Sequence, residues 1–207
     1  MMLQSIKNIV FDLGGVIVDL ELERVREAFR EIGMPRMAAL MDPCYPAAVN
    51  ELLERGAITW EEACDEMRRI DNLPTVTNEQ IAWVYAEFLA RVDERKIEQI
   101  EALRKQGYRT YMLSNTNPVA YEVVRQHFLR AGRQIEACFD EICLSFEMKM
   151  LKPDPQIFEE LIRRTGIRPE ESLYIDDGAR NADAAHALGF HIFCPPTNGQ
   201  FGQLFEE

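Results

Sequence analysis

From residue 109 onward, short apolar runs alternate with amphipathic stretches, and this alternation limits the fold more than any other feature of the chain. RTYMLSN (109–115) reads as a strand, and Asn117 followed by Pro118 reads as a helix cap with proline in the first turn. FDEICLS (139–145) is the next apolar run, and Asp154 with Pro155 repeats the cap ahead of QIFEELIRRTG, where Gly166 is a natural stop. SLYIDD (172–177), GARNADAAHALG (178–189) and HIFCP (191–195) continue as strand, helix and strand. Such regular alternation predicts an α/β fold, a parallel sheet with helices on both faces.

An earlier strand, roughly residues 6–12, belongs to the same sheet. Residues 20–91 between it and the rest hold only helical patterns: LELERVREAFREIG, AAVNELLERG, Thr59 to Arg69 and Thr77 to Arg91. Two of these open with capping boxes, Thr59 with Glu62 and Thr77 with Gln80. At 207 residues the chain has room for one core and a smaller insert. The expected division is a sheet core of 1–18 and 93–207 interrupted by a helical cap of 19–92.

Charge narrows the partners. Thirty-five acidic against 23 basic residues give a net charge of -12, which opposes general attraction to nucleic acid or an anionic membrane. No apolar run reaches the roughly 18 to 20 residues needed to span a bilayer, and the N-terminal apolar run carries Asp12. A soluble cytoplasmic protein with a small-molecule partner is the expectation. Cys44, Cys64, Cys138, Cys143 and Cys194 show no metal-ligand spacing and read as buried reduced thiols, and no chemistry attaches to His127, His186 or His191.

In an open parallel sheet, ligands bind beyond the carboxyl ends of the strands. Asp12 closes the run Ile9, Val10, Phe11; Ser114 and Asn115 end the second strand; Lys152 follows the third; Asp176 and Asp177 end the fourth. Each alone has a plainer reading: turn chemistry for Ser114 and Asn115, a loop charge for Lys152, a helix start for the aspartate pair, a tight turn for Gly14 and Gly15. Together at strand ends they make a site. Two adjacent acids repel and ask for a cation. Three carboxylates with one ammonium suit Mg²⁺ and a phosphate dianion, leaving Asp12 able to attack phosphorus.

The four segments FDLGGVIVD (11–19), LSNTN (113–117), LKPDP (151–155) and YIDDGARNAD (174–183) resemble the motifs of the haloacid dehalogenase superfamily, with the helical insert resembling that family's cap and the core its Rossmann-like sheet. The resemblance implies Asp12 as nucleophile; Mg²⁺ held by Asp12, the backbone carbonyl of Gly14 and Asp177, with Asp176 in support; Ser114 and Lys152 as catalytic phosphate binders; and Asn181 as a supporting polar residue. Asn115 and, from the first cap helix, Arg24 are further candidates for substrate binding. Gly14 departs from the pattern, because the family's phosphatases commonly carry a second aspartate there as acid and base, help worth about 10² to 10⁴ in rate.

Within the family the opening and LSNTN segments are similar to bacterial sugar phosphatases acting on α-D-glucose 1-phosphate, so hydrolysis of a small sugar phosphate is the expected activity. Its alternatives are 2-haloacid dehalogenation, which has no use for the acidic pair, and a catalytically quiet protein that binds a phosphorylated ligand. Phosphonate cleavage falls away because it requires a cap lysine and no lysine lies between Lys7 and Lys96.

Overall fold

The computed structural model describes residues 5–41, 48–89 and 91–205. In chain order the strands are β1 (Asn8–Phe11), β2 (Val18–Asp19), β3 (Arg91–Val92), β4 (Arg109–Ser114), β5 (Glu141–Leu144), β6 (Ser172–Ile175) and β7 (His191–Phe193). The helices are α1 (Leu22–Glu31), α2 (Pro35–Leu40), α3 (Ala48–Glu54), α4 (Trp60–Asp71), α5 (Asn78–Phe88), α6 (Glu94–Lys105), α7 (Pro118–Arg130), α8 (Ser145–Met148), α9 (Pro155–Thr165) and α10 (Ala179–Ala187).

Five strands form a parallel sheet in the order β5-β4-β1-β6-β7. β1 is central and buried; Ile9, Val10 and Phe11 are apolar, as a strand covered on both faces requires, and Asn8 at its start donates to the Ser172 hydroxyl at 3.1 Å. Its side chains alternate: Ile9 and Phe11 join Met112, Leu173 and Ile175 in one apolar cluster. Val10 joins Tyr111, Leu113 and Tyr174 in the cluster on the opposite face. The chain moves outward from β1 through β4 to β5, then crosses back to β6 and β7 on the other side. Strand order therefore reverses at β1, and a crevice opens there above the carboxyl ends.

Local signals act where the sequence placed them. Asn117 accepts the Ala120 N–H at 3.0 Å with Pro118 opening α7, and Asp154 accepts the Gln156 N–H ahead of Pro155 and α9. Both capping boxes, Thr59 with Glu62 and Thr77 with Gln80, are present. Gly166 ends α9 in the left-handed region at φ 67°. Two short helices, α2 and α8, are not singled out by the sequence: each is six residues or fewer, too short to show helical periodicity. Cys64, Cys138 and Cys143 are buried thiols, whereas Cys194, just past the edge strand β7, is exposed, a correction to the expectation of burial. Cys44 lies outside the described residues. No helix among those residues is long and apolar enough to cross a membrane.

Helices α1 to α5 lie between β2 and β3, which pair antiparallel through Val18 with Val92 and Asp19 with Arg91. This ribbon stitches the two ends of the insert together, and an ion cluster locks it. Asp19 accepts from Arg91 at 2.9 Å and from Lys96 at 3.1 Å, with Lys96 at 0% exposure and Asp19 at 7%. A buried charge stripped of its partner is strongly destabilising. Lys96→Ala strands Asp19 with only the exposed Arg91, and urea unfolding is expected to show a loss of about 3 to 5 kcal/mol; a loss below about 1 kcal/mol would show that Arg91 suffices.

Candidate active site

Register decides which side chains meet. Phe11 is level with Met112 on one side and Ile175 on the other, so Asp12 emerges beside Leu113 and Asp176. Asp12 is fixed by its backbone N–H to the Ile175 carbonyl at 2.8 Å, while its Oδ1 accepts the Leu13 N–H at 2.6 Å. The ammonium of Lys152, 4% exposed, lies 2.9 Å from the same Oδ1, 2.7 Å from Asp176 Oδ2, and donates to the Leu113 carbonyl at 3.0 Å. Lysine is seldom buried unless paired, and here it is the counter-charge between two carboxylates.

Asp176 has no free face. Its Oδ2 takes Lys152 and the Tyr174 hydroxyl; its Oδ1 takes the Gly178 N–H at 2.7 Å and the Asn181 amide at 3.1 Å. With both oxygens committed, its work is to hold Lys152 and the loop that begins α10. Asn181, in the first turn of α10, thus contacts Asp176 through its side-chain amide. Asp177 is different: half-buried, it accepts from the Thr197 hydroxyl at 2.5 Å through Oδ2. A Cβ on Gly15 would overlap the Asp177 carboxylate, which shows how closely Asp177 sits against the turn after β1. Gly15 also has φ 74°, the left-handed region glycine tolerates without strain.

Oxygens of Asp12, Asp176 and Asp177 lie within 4.8 Å of one another. Among the described residues one ammonium, that of Lys152, meets these acids at contact distance, and an all-oxygen donor set of this kind fits a hard divalent cation such as Mg²⁺. The electrostatics agree. Burial, against the opposing pull of Lys152, raises Asp12 to about 7. Asp177 is also raised, chiefly by burial. Burial pushes Asp176 upward too, but the charge and hydrogen bonds of Lys152 and Tyr174 bring it below the ordinary carboxylate range. For Lys152, burial favours the neutral amine, yet Asp12 and Asp176 overcome it and hold the ammonium charged.

Ser114, 1% exposed at the end of β4, donates a long bond of 3.3 Å to the Asn115 carbonyl. Two substrate-binding candidates are placed differently from expectation. Asn115 exchanges hydrogen bonds of 2.9 Å with the backbone N–H and carbonyl of Lys152, so its amide positions that loop. Arg24 donates to Glu31 at 2.5 Å and Glu87 at 2.6 Å and stacks on Trp83; its charge is met within the insert because α1 packs on α5. Gly14 forms an isolated bridge with Val18, and a Cβ there would touch Leu20 at 3.3 Å.

Sequence reasoning missed the strap that completes the site. Asn198 donates its N–H to the Gly15 carbonyl at 2.7 Å, and its side chain pairs with the backbone N–H and carbonyl of Leu20 at 2.8 and 3.1 Å. Together with Thr197 it braces the turn after β1 and Asp177 from one side. Thr-Asn-Gly reads as ordinary turn chemistry, so nothing local marks it. A cavity of about 410 Å³ lies at the seam of insert and core, lined by Leu53, Trp60, Glu61, Glu62, Phe146 and Lys149 among others; Asp12, Asp176 and Asp177 are not part of its lining.

Comparison with known proteins agrees with this geometry. D-ribitol-5-phosphate phosphatase of Bacteroides thetaiotaomicron is 32% identical over 199 residues, covering 96% of each chain. A haloacid dehalogenase family enzyme from the same organism, solved with magnesium and inorganic phosphate, superposes with a TM-score of 0.90 at 33% identity, covering 97% of this chain and 100% of that one. A similar hydrolase from Porphyromonas gingivalis gives 0.88 at 36% identity, over 98% of this chain and 99% of that one. Residues 6–189 match the haloacid dehalogenase-like hydrolase family, to which this chain belongs.

Proposed function

We propose that the chain is a Mg²⁺-dependent phosphatase of small phosphomonoesters, with sugar and sugar-alcohol phosphates as its substrate class, working through an aspartyl-phosphate on Asp12. The observation that carries this reading is the meeting of Asp12, Lys152, Asp176 and Asp177 at the carboxyl ends of β1 and β6. Asp12, the Gly14 carbonyl and Asp177 would hold the metal, which when bound neutralises charge between the incoming phosphate and the nucleophile. Lys152 and the Ser114 hydroxyl hold phosphate oxygens, and the backbone N–H groups after β4 add donors. The contacts on Asp12 fall on Oδ1, so Oδ2 is the oxygen left to attack phosphorus in line. Residues 19–92 act as the cap that closes over the substrate and keeps out water until the intermediate has formed.

The substrate class rests on relatives. The ribitol phosphatase points to an open-chain sugar-alcohol phosphate, and the motif resemblance points to glucose 1-phosphate. These leaving groups differ: an anomeric oxygen departs more readily than a primary alkoxide. A phosphate-release panel with Mg²⁺ is expected to find both kinds turned over, with one preferred by at least about tenfold in kcat/KM, a discrimination of about 1.4 kcal/mol.

Para-nitrophenyl phosphate hydrolysis is expected to require Mg²⁺, to stop on chelation and to vanish in Asp12→Asn. Metal-free release of chloride from 2-chloropropionate would contradict the reading. Gly15→Ala presses a methyl group into Asp177, and calorimetric titration is expected to show Mg²⁺ affinity reduced by about 10- to 100-fold, the usual effect of disturbing the support of a metal ligand.

A further inference from the structure

A phosphatase of alkyl esters must protonate its leaving oxygen and later deprotonate water, and Gly14 carries no side chain for either task. Resting on the reading above, we propose that Glu54, at the C-terminal end of α3, is the general acid and base of the reaction. The insert is anchored to the core at this point. The Glu54 backbone carbonyl accepts from Ser145 Oγ at 2.6 Å, and the same Oγ accepts the Thr116 N–H at 3.0 Å. Thr116 lies two residues beyond Ser114, so a single serine ties Glu54 to the loop proposed to bind phosphate. Two residues further on, the Gly56 carbonyl accepts from Lys149 at 2.6 Å, and a Cβ on Gly56 would overlap the Phe146 backbone, so insert and core are in direct contact here.

One helical turn before Glu54, Asn50 accepts from the Tyr85 hydroxyl at 2.8 Å, both residues being buried. Glu54 therefore follows that buried polar pair along the inner face of α3. Its carboxyl has no hydrogen-bond partner among the described residues. The charged and titratable groups around it are Lys152 from the core, Glu51 on its own helix and Tyr85 on α5. Burial raises it to about 7 against the pull of Lys152, with Glu51 adding to the rise. A carboxyl in that range holds a proton to give below neutrality and can take one back after giving it.

The step balances. As Asp12 attacks phosphorus and the ester P–O bond breaks, the Glu54 proton passes to the departing alcohol oxygen. The resulting Glu54 carboxylate takes a proton from the water that attacks the phosphoryl group, the Asp12–phosphorus bond breaks, inorganic phosphate leaves, and Glu54 is protonated again.

The test compares leaving groups in the Mg²⁺-loaded enzyme. Para-nitrophenolate departs without a proton, whereas the alcohol of ribitol 5-phosphate needs one. In Glu54→Gln, turnover of ribitol 5-phosphate is expected to fall by about 10² to 10⁴, while para-nitrophenyl phosphate still gives a burst of nitrophenolate followed by slow release of phosphate. The fall in wild-type rate on the alkyl ester as pH rises through about 7 is expected to be absent from the variant. Equal turnover by variant and wild type, or a proportional loss on both esters with the pH profile intact, would overturn the role of Glu54 while leaving the phosphatase reading in place. Wild type inactive on both esters would overturn both.

Discussion

The buried ammonium of Lys152 is the constraint on which the rest of the site depends. It sits between Asp12 and Asp176 at 2.9 and 2.7 Å with almost no access to water. Two carboxylates cannot share a dry crevice unless something opposes their repulsion, and a lysine cannot be buried there unless something holds its charge. Each member makes the others tenable. Around this triad the fold supplies fixed parts: Tyr174 and Asn181 saturate Asp176, Asn115 grips the Lys152 backbone at both its N–H and carbonyl, and the Leu113 carbonyl takes a further ammonium proton. Asp12 keeps an oxygen outside this network, and that is the atom available for chemistry.

Parallel sheet topology explains why residues 12 and 177 meet at all. β1 is the strand at which the order reverses, flanked by β4 and β6, and the register sets their carboxyl ends level. The insert enters and leaves through a two-residue ribbon locked by Asp19, Arg91 and Lys96. Within the insert, the Glu54 carbonyl is tied through Ser145 Oγ to Thr116 on the loop after β4. On the proposed reading the insert contributes chemistry as well as cover, and the absence of a side chain at Gly14 gives that contribution a purpose.

Much of this was legible because the signals are local. An acid or a Ser-Asn pair closing an apolar run marks a strand end, and Asn-Pro and Asp-Pro mark helix starts whose caps form as written. The four strand-end segments could be assembled into one site because parallel topology puts all carboxyl ends on one edge. Features that depend on distant partners were not legible. Thr197 and Asn198 look like turn residues until they are seen on Asp177, Gly15 and Leu20. Tyr174 looks like a core aromatic, and its hydroxyl matters only because Asp176 turns back toward it. Arg24 looked free on its helix because Glu87, 63 positions away, cannot be paired with it from spacing alone. β2 and β3, two residues each, carry no periodicity to read.

On the reading proposed above, Asp12, ion-paired with Lys152, takes the phosphoryl group onto its own carboxylate. The most direct measurement is peptide mass spectrometry after acid quench of a single turnover with Mg²⁺ and a phosphomonoester. A phosphoryl group on the peptide carrying Asp12, absent in Asp12→Asn, is the expected result. Full turnover with no phosphoryl group on that peptide at any quench time, or with the group on another residue, would contradict it.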